Sequence, residues 1–211
     1  MGERMEYALR RQAAQETPAL YCSMILDGMA QNHCELPWYG NLKSADKKLA
    51  QHLQGVLNHG RNFTVYRTFH NVRGGVNLSI HCLLRSLEKM QGDPTQGGSI
   101  PDTLYLQIDG GSENTAKTML GICELLVSRR IAKKVVLTRL PTGHSHEVID
   151  AVFAKIWKAL RNQPILSPQQ YEAIIKLALR RRHESVHVED LFAIPDYVAY
   201  MEPYLDPELA R

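Results

Sequence analysis

The sequence contains no run of about 18 apolar residues, so it offers no segment suited to crossing a membrane as a helix. Its charged first residues lack the apolar core of a secretory signal, so we expect an intracellular protein that is not secreted. The four cysteines form no Cys-x-x-Cys pair, which argues against a zinc site or a disulfide framework. The net charge is only +3, which neither requires nor excludes a nucleic-acid partner.

Hydrophobic residues make up 44% of the 211 positions, enough for one sizeable domain. Residues 3–16 have the pattern of a basic amphipathic helix, and the nearly continuous apolar run at 19–27 is typical of a strand buried on both faces. Two further strands are predicted at 51–58 and 62–70. They would form a hairpin that turns at residues 58–61.

The rest of the chain alternates between helical and extended patterns. Helices are predicted at 75–90, 113–130, 145–160 and, capped by Ser167, at 167–182; strands are predicted at 103–109 and 133–140. A meander followed by strand–helix alternation predicts an α/β fold. Its mixed five-stranded sheet would have an antiparallel part, then parallel strands, with helices on its faces.

The composition changes after Pro164, and the last residues are acidic and interrupted by prolines. We therefore predict a core domain over residues 1–162. Residues 163–211 would form a helical C-terminal extension packed on this core.

Asp27 and Asp109 share one local context, because each ends a buried apolar run and is followed by glycine. A carboxylate in such a place costs free energy unless a cation or a hydrogen-bond donor compensates it. Ligand sites in open sheets lie beyond the carboxyl ends of strands, and carboxylate oxygens suit Mg²⁺ or Mn²⁺. If the two strands are parallel neighbours, both carboxylates could bind the same ions. The alternative is that both are turn residues, since Asp-Gly is a common turn pair.

A third group of polar residues lies in the segment 143–150, GHSHEVID. Glu147 and Asp150 share one helix face, and Asp150 is three residues before Phe153, so it borders the buried side. An acid-rich first turn is the alternative, and it explains Glu147 better than Asp150. His144 suits a proton shuttle, a phosphate contact or a helix cap.

Two basic clusters are candidates for contact with a nucleic-acid backbone. They comprise Arg129, Arg130, Lys133 and Lys134 in one segment and Arg180, Arg181 and Arg182 in another. A solvated helix end is the commoner meaning of such runs.

These segments resemble the RNase H-like integrase or transposase domain of eukaryotic transposon-derived proteins, often labelled only as a domain of unknown function. The resemblance runs through ALYCSMILDG, LYLQIDGGSENTAKTMLGICELLV and, most specifically, KKVVLTRLPTGHSHEVIDAVFAKI. The acidic positions of that family fall on Asp27, Asp109 and Asp150. One departure is Gly110, where the family usually has asparagine, so a side-chain amide beside the second acid is missing.

The resemblance implies an RNase H-like fold and metal-dependent cleavage or strand transfer of DNA. Asp27, Asp109 and Asp150 would bind two Mg²⁺ or Mn²⁺ ions, with Glu147 as a rival third ligand and His144 as an auxiliary catalytic residue. Expected partners are the phosphate backbone of DNA and a second copy of the chain, in the nucleus or elsewhere inside the cell. Two alternatives remain open: a non-catalytic nucleic-acid-binding or assembly module, and a structure-specific nuclease such as a resolvase or exonuclease.

Overall fold

The structure, a computed structural model, describes residues 2–39, 47–72, 74–92, 94, 98–108, 117–139, 148–180 and 185–205. The helices are α1 (Gly2–Glu16), α2 (Val76–Gly92), α3 (Lys117–Ser128), α4 (Val148–Leu160), α5 (Pro168–Leu179) and α6 (Tyr197–Met201). The strands are β1 (Tyr21–Gly28), β2 (Gln51–Asn58), β3 (Asn62–Phe69), β4 (Thr103–Ile108), β5 (Lys134–Arg139) and β6 (Val186–Asp190). Among these described residues, no helix is both long and apolar enough to cross a bilayer.

The strands form one mixed sheet in the order β5-β4-β1-β2-β3-β6. β1, β2 and β3 form an antiparallel meander, and β4 and β5 extend it as parallel strands beside β1. This arrangement confirms the predicted α/β class, with its meander, its parallel strands and its flanking helices. The hairpin between β2 and β3 also lies where it was predicted, with Gly60 at a φ of +75° in the turn.

The prediction of five strands was wrong, because the described residues form six. The additional strand, β6, pairs in parallel with β3 at the sheet edge, in the segment predicted to be part of a helical extension. Its sequence, VHVED, is short and charged, so it gives a weak strand signal. The charge is compensated only in the fold, where Glu189 pairs with Arg85 at 2.8 Å and with Lys89, both on α2.

Apolar side chains cover both faces of the sheet. On one face, α2, α3 and α6 pack against residues that include Met24, Leu26, Leu106 and Ile108. On the other, α4 and α5 pack against residues that include Ile25, Leu57, Phe63 and Val65. Neighbouring residues of β1 thus enter opposite clusters, as expected for a strand buried on both faces.

Arg67 of β3 connects the sheet to α5 and β6. Its side chain is only 2% exposed, and its guanidinium donates to both carboxylate oxygens of Asp190, at 2.6 and 2.9 Å. A third donor nitrogen bonds the carbonyl oxygen of Pro168 at 2.7 Å. The predicted cap is confirmed beside it, because Ser167 Oγ accepts a hydrogen bond from the Gln170 amide at the start of α5.

Candidate metal site at the carboxyl edge of the sheet

Five strands of the sheet end at the same edge. β1, β4 and β5 are parallel to one another. β2 is antiparallel to both β1 and β3, so β3 runs in the same direction as β1, and β6 is parallel to β3. Their last residues are Gly28, Phe69, Ile108, Arg139 and Asp190. Ligand sites of open sheets form at the carboxyl ends of strands, which makes this edge the place where a site is expected.

Asp27 is the penultimate residue of β1, and its side chain is half-buried. Its Oδ1 accepts a hydrogen bond from the backbone N–H of Gly28 at 2.8 Å, which orients the carboxylate. Because side chains alternate along a strand, Asp27 faces the same side of the sheet as Ile25. Ile25 packs in the cluster with α4, so the carboxylate is on the α4 side of the sheet.

The helix α4 packs closely on β2 beside Asp27. Gly55 of β2 is the register partner of Asp27, and a Cβ added to Gly55 would lie 2.8 Å from Cζ of Phe153. The same added atom would lie 3.1 Å from the ring of Phe63. The absence of a side chain at Gly55 is therefore what lets α4 approach the sheet at this point.

Asp150 lies in the first turn of α4, three residues before Phe153, and is half-buried. Since Phe153 packs over the register partner of Asp27, the start of α4 lies on the face of the sheet that carries Asp27. The structure thus brings the elements that carry these two predicted site residues to one face of the sheet.

Three other predicted site residues, Asp109, His144 and Glu147, lie outside the described residues. In the part of the chain that is described, no three His, Cys, Asp or Glu side chains are grouped so that they could hold a metal ion. The choice between Glu147 and Asp150 as third ligand stays a prediction.

Sequence reasoning missed Gln107, which lies two residues before Asp109. Gln107 is only 9% exposed, and its Oε1 has no hydrogen-bond partner among the described residues. It is the register partner of Ile25, so it shares the α4 side with Asp27. A buried amide oxygen without a donor is costly in a fold, which makes it a candidate acceptor for a bound water or ion. Its only signal in the sequence is that it is the single polar residue in LYLQI.

We expect Gly55→Ala to lower the free energy of unfolding by about 1–3 kcal/mol, because the added methyl group overlaps the Phe153 ring. Urea denaturation measures this difference. Gly92→Ala at the end of α2 is the control, since an added Cβ there meets no atom within 4 Å, and it should change stability little. Equal stabilities of the two variants would contradict the close packing of α4 on β2.

A family model described as Domain of unknown function (DUF7869) matches residues 41–209, which is most of the chain. Asp109 and Asp150 lie inside the matched stretch, and Asp27 precedes it. Neither the curated proteins nor the solved structures gave a match.

Proposed function

We propose that this chain, which belongs to the family of domains of unknown function DUF7869, is a metal-dependent DNA nuclease or strand-transfer domain of RNase H-like fold. Asp27, Asp109 and Asp150 would be its metal ligands. The parallel register of β1 and β4 carries the proposal, because Leu26 pairs with Ile108. Asp27 directly follows Leu26 and Asp109 directly follows Ile108, so each acid comes next in the chain after one member of this pair.

The donors on this face suit a hard divalent cation. Asp27 offers a half-buried carboxylate, Asp150 lies on the helix that covers the same face, and Gln107 offers a buried amide oxygen without a partner among the described residues. All of these are oxygen donors, which Mg²⁺ and Mn²⁺ prefer over sulfur or imidazole ligands. The set does not resemble a zinc site.

Two bound Mg²⁺ or Mn²⁺ ions would supply charge neutralisation and an activated water or 3′-hydroxyl. Asp27, Asp109 and Asp150 would hold these ions, with Glu147 as the rival third ligand. The Gly28 amide would orient Oδ1 of Asp27. His144 would transfer a proton or contact a phosphate.

Basic residues at the same edge would bind the DNA backbone. Arg139 is exposed at the last position of β5, which ends at the edge with Asp27, so it is suited to contact a phosphate. Lys133 and Lys134 are less suited to this contact, because Lys134 is the first residue of β5 and both lysines lie at the opposite edge of the sheet. Lys133 also pairs with Asp102 at 2.7 Å.

The test is to incubate the chain with linear, hairpin and junction DNA in the presence of Mg²⁺, Mn²⁺ or EDTA. We expect cleavage or strand transfer with the two metals and none with EDTA. Joined products would indicate strand transfer, whereas cuts confined to junctions, hairpins or ends would indicate a structure-specific nuclease. If no substrate is cut with either metal, the catalytic proposal is contradicted and a non-catalytic DNA-binding module is favoured.

A further inference from the structure

We propose that a cleft at the carboxyl ends of β3 and β6 binds an unpaired nucleobase of a DNA strand, with Phe192 as its stacking surface. This inference rests on the proposed function, because it specifies how DNA would be held beside the candidate metal site. The cleft has a volume of about 410 Å³, within the range typical of small-ligand pockets. Its lining includes Asn71, Gly74, Asn77, Phe192, Ile194 and Asp196.

Phe192 supplies a large aromatic surface in the wall of this cleft. It follows β6 directly after Leu191 and is 71% exposed, which is unusual for a phenylalanine. Its ring lies nearly parallel to that of Phe69 at the end of β3, with the centroids 6.3 Å apart and 19° between the planes. Phe69 in turn lies beneath the guanidinium of Arg67, which is anchored in the fold. The exposed ring therefore has a supported position, as a stacking surface requires.

The polar groups of the cleft suit a base more than a phosphate. Asn71 is exposed, and its amide can both donate to and accept from a base edge. Hydrogen bonds from the Ala199 amide and from Asn77 lower the pKa of Asp196, so this carboxylate is ionised at neutral pH. An ionised carboxylate repels phosphate and accepts hydrogen bonds from the amino groups of bases. The base would therefore occupy the side of the cleft near Asp196.

The polar lining lies at the start of α2. Asn77, the second residue of this helix, donates a hydrogen bond to the Asp196 carboxylate at 3.0 Å, so the negative charge is held beside the first turn. The cleft thus presents an aromatic surface, an amide and a carboxylate, which match the face and the hydrogen-bonding edge of one base.

The position of the cleft relates it to the candidate metal site. β3 and β1 end at the same edge and are separated only by β2, which places them about 10 Å apart at the usual strand spacing. The cleft involves Asn77 on α2, and Asp27 faces the α4 side. A DNA strand that crosses this edge would therefore meet both the stacking surface and the candidate metal ligands.

The test is fluorescence anisotropy with a labelled single-stranded oligonucleotide of about 12 nucleotides, measured in EDTA so that neither metal binding nor cleavage contributes. We expect Phe192→Ala to weaken binding on the order of tenfold, the typical effect of removing an aromatic stacking partner. Phe192→Trp should keep the affinity, and its indole emission should be quenched when the oligonucleotide binds. Leu177→Ala is the control, because Leu177 is also 71% exposed but lies on α5 and does not line the cleft. It should bind like the wild type.

Two results would overturn the inference: equal affinities of Phe192→Ala and the wild type, or competition by free adenosine monophosphate as strong as by the unlabelled oligonucleotide. The second result would mean that the cleft serves a free nucleotide instead of a strand. The readout separates this inference from the proposed function. Weaker binding by Phe192→Ala in a chain that cuts no DNA would support the cleft and contradict the nuclease. Metal-dependent cutting by the wild type, together with unchanged oligonucleotide binding by Phe192→Ala, would support the nuclease and contradict the cleft.

Discussion

Replacing Asp27 with asparagine is expected to reduce Mn²⁺-dependent DNA cleavage by a factor on the order of 10³ or more, because several kcal/mol of metal-based charge stabilisation would be lost. The amide keeps the shape of the carboxylate, and its oxygen can still accept the hydrogen bond from the Gly28 amide. The fold should therefore survive, and circular dichroism and urea denaturation can verify this. Rates of product formation on a DNA that the wild type cuts provide the measurement.

The matched control is Asp102→Asn, which makes the same chemical change elsewhere. Asp102 is exposed, pairs with Lys133 and precedes β4 at the opposite edge of the sheet. This variant should cut DNA at the wild-type rate. Unchanged cleavage by Asp27→Asn, or an equal loss in the two variants, would refute the role of Asp27 as a metal ligand.

Replacing Arg67 with methionine is expected to lower the free energy of unfolding by about 3 kcal/mol or more, the usual cost of breaking a buried ion pair. The change leaves Asp190 without its bidentate partner and the Pro168 carbonyl without its donor. The partial exposure of Asp190 keeps the expected loss at the lower end of the usual range. Urea denaturation at neutral pH gives the value.

Arg85→Met provides the comparison for this second prediction. Arg85 also pairs with a carboxylate of β6, Glu189, at 2.8 Å, but its side chain is 40% exposed. Solvent screening should limit the loss there to about 1 kcal/mol or less. A further variant, Arg67→Met with Asp190→Leu, should recover part of the stability, because no unpaired charge remains. Similar losses for Arg67→Met and Arg85→Met would contradict the anchoring role of Arg67.

The elements that were predicted correctly have strong local signals. The apolar run of β1, the hairpin of β2 and β3, and the Ser167 cap each depend on residues close together in sequence. β6 was missed because its stability depends on partners more than 100 residues away, such as Arg67 with Asp190 and Arg85 with Glu189. A short charged strand at a sheet edge has little local pattern by which it could be recognised.

The residues of the candidate site also differ in whether the local sequence could predict them. The sequence identified Asp27 because its apolar strand ends in an acid, and the position of Asp150 followed from helical spacing. The contact between Phe153 and Gly55, which sets α4 beside Asp27, joins residues 98 positions apart and had no sequence signal. Gln107 and Phe192 were missed for the same reason, since only the fold buries the first and exposes the second.

The most direct test of the proposed function is isothermal titration calorimetry of the chain with Mn²⁺ in the absence of DNA. We expect saturable binding of two ions per chain, with the loss of at least one of them in Asp27→Asn and no change in Asp102→Asn. If the wild type binds no Mn²⁺ at millimolar concentrations, or binds it equally well after Asp27→Asn, the carboxyl edge of this sheet is not a metal site.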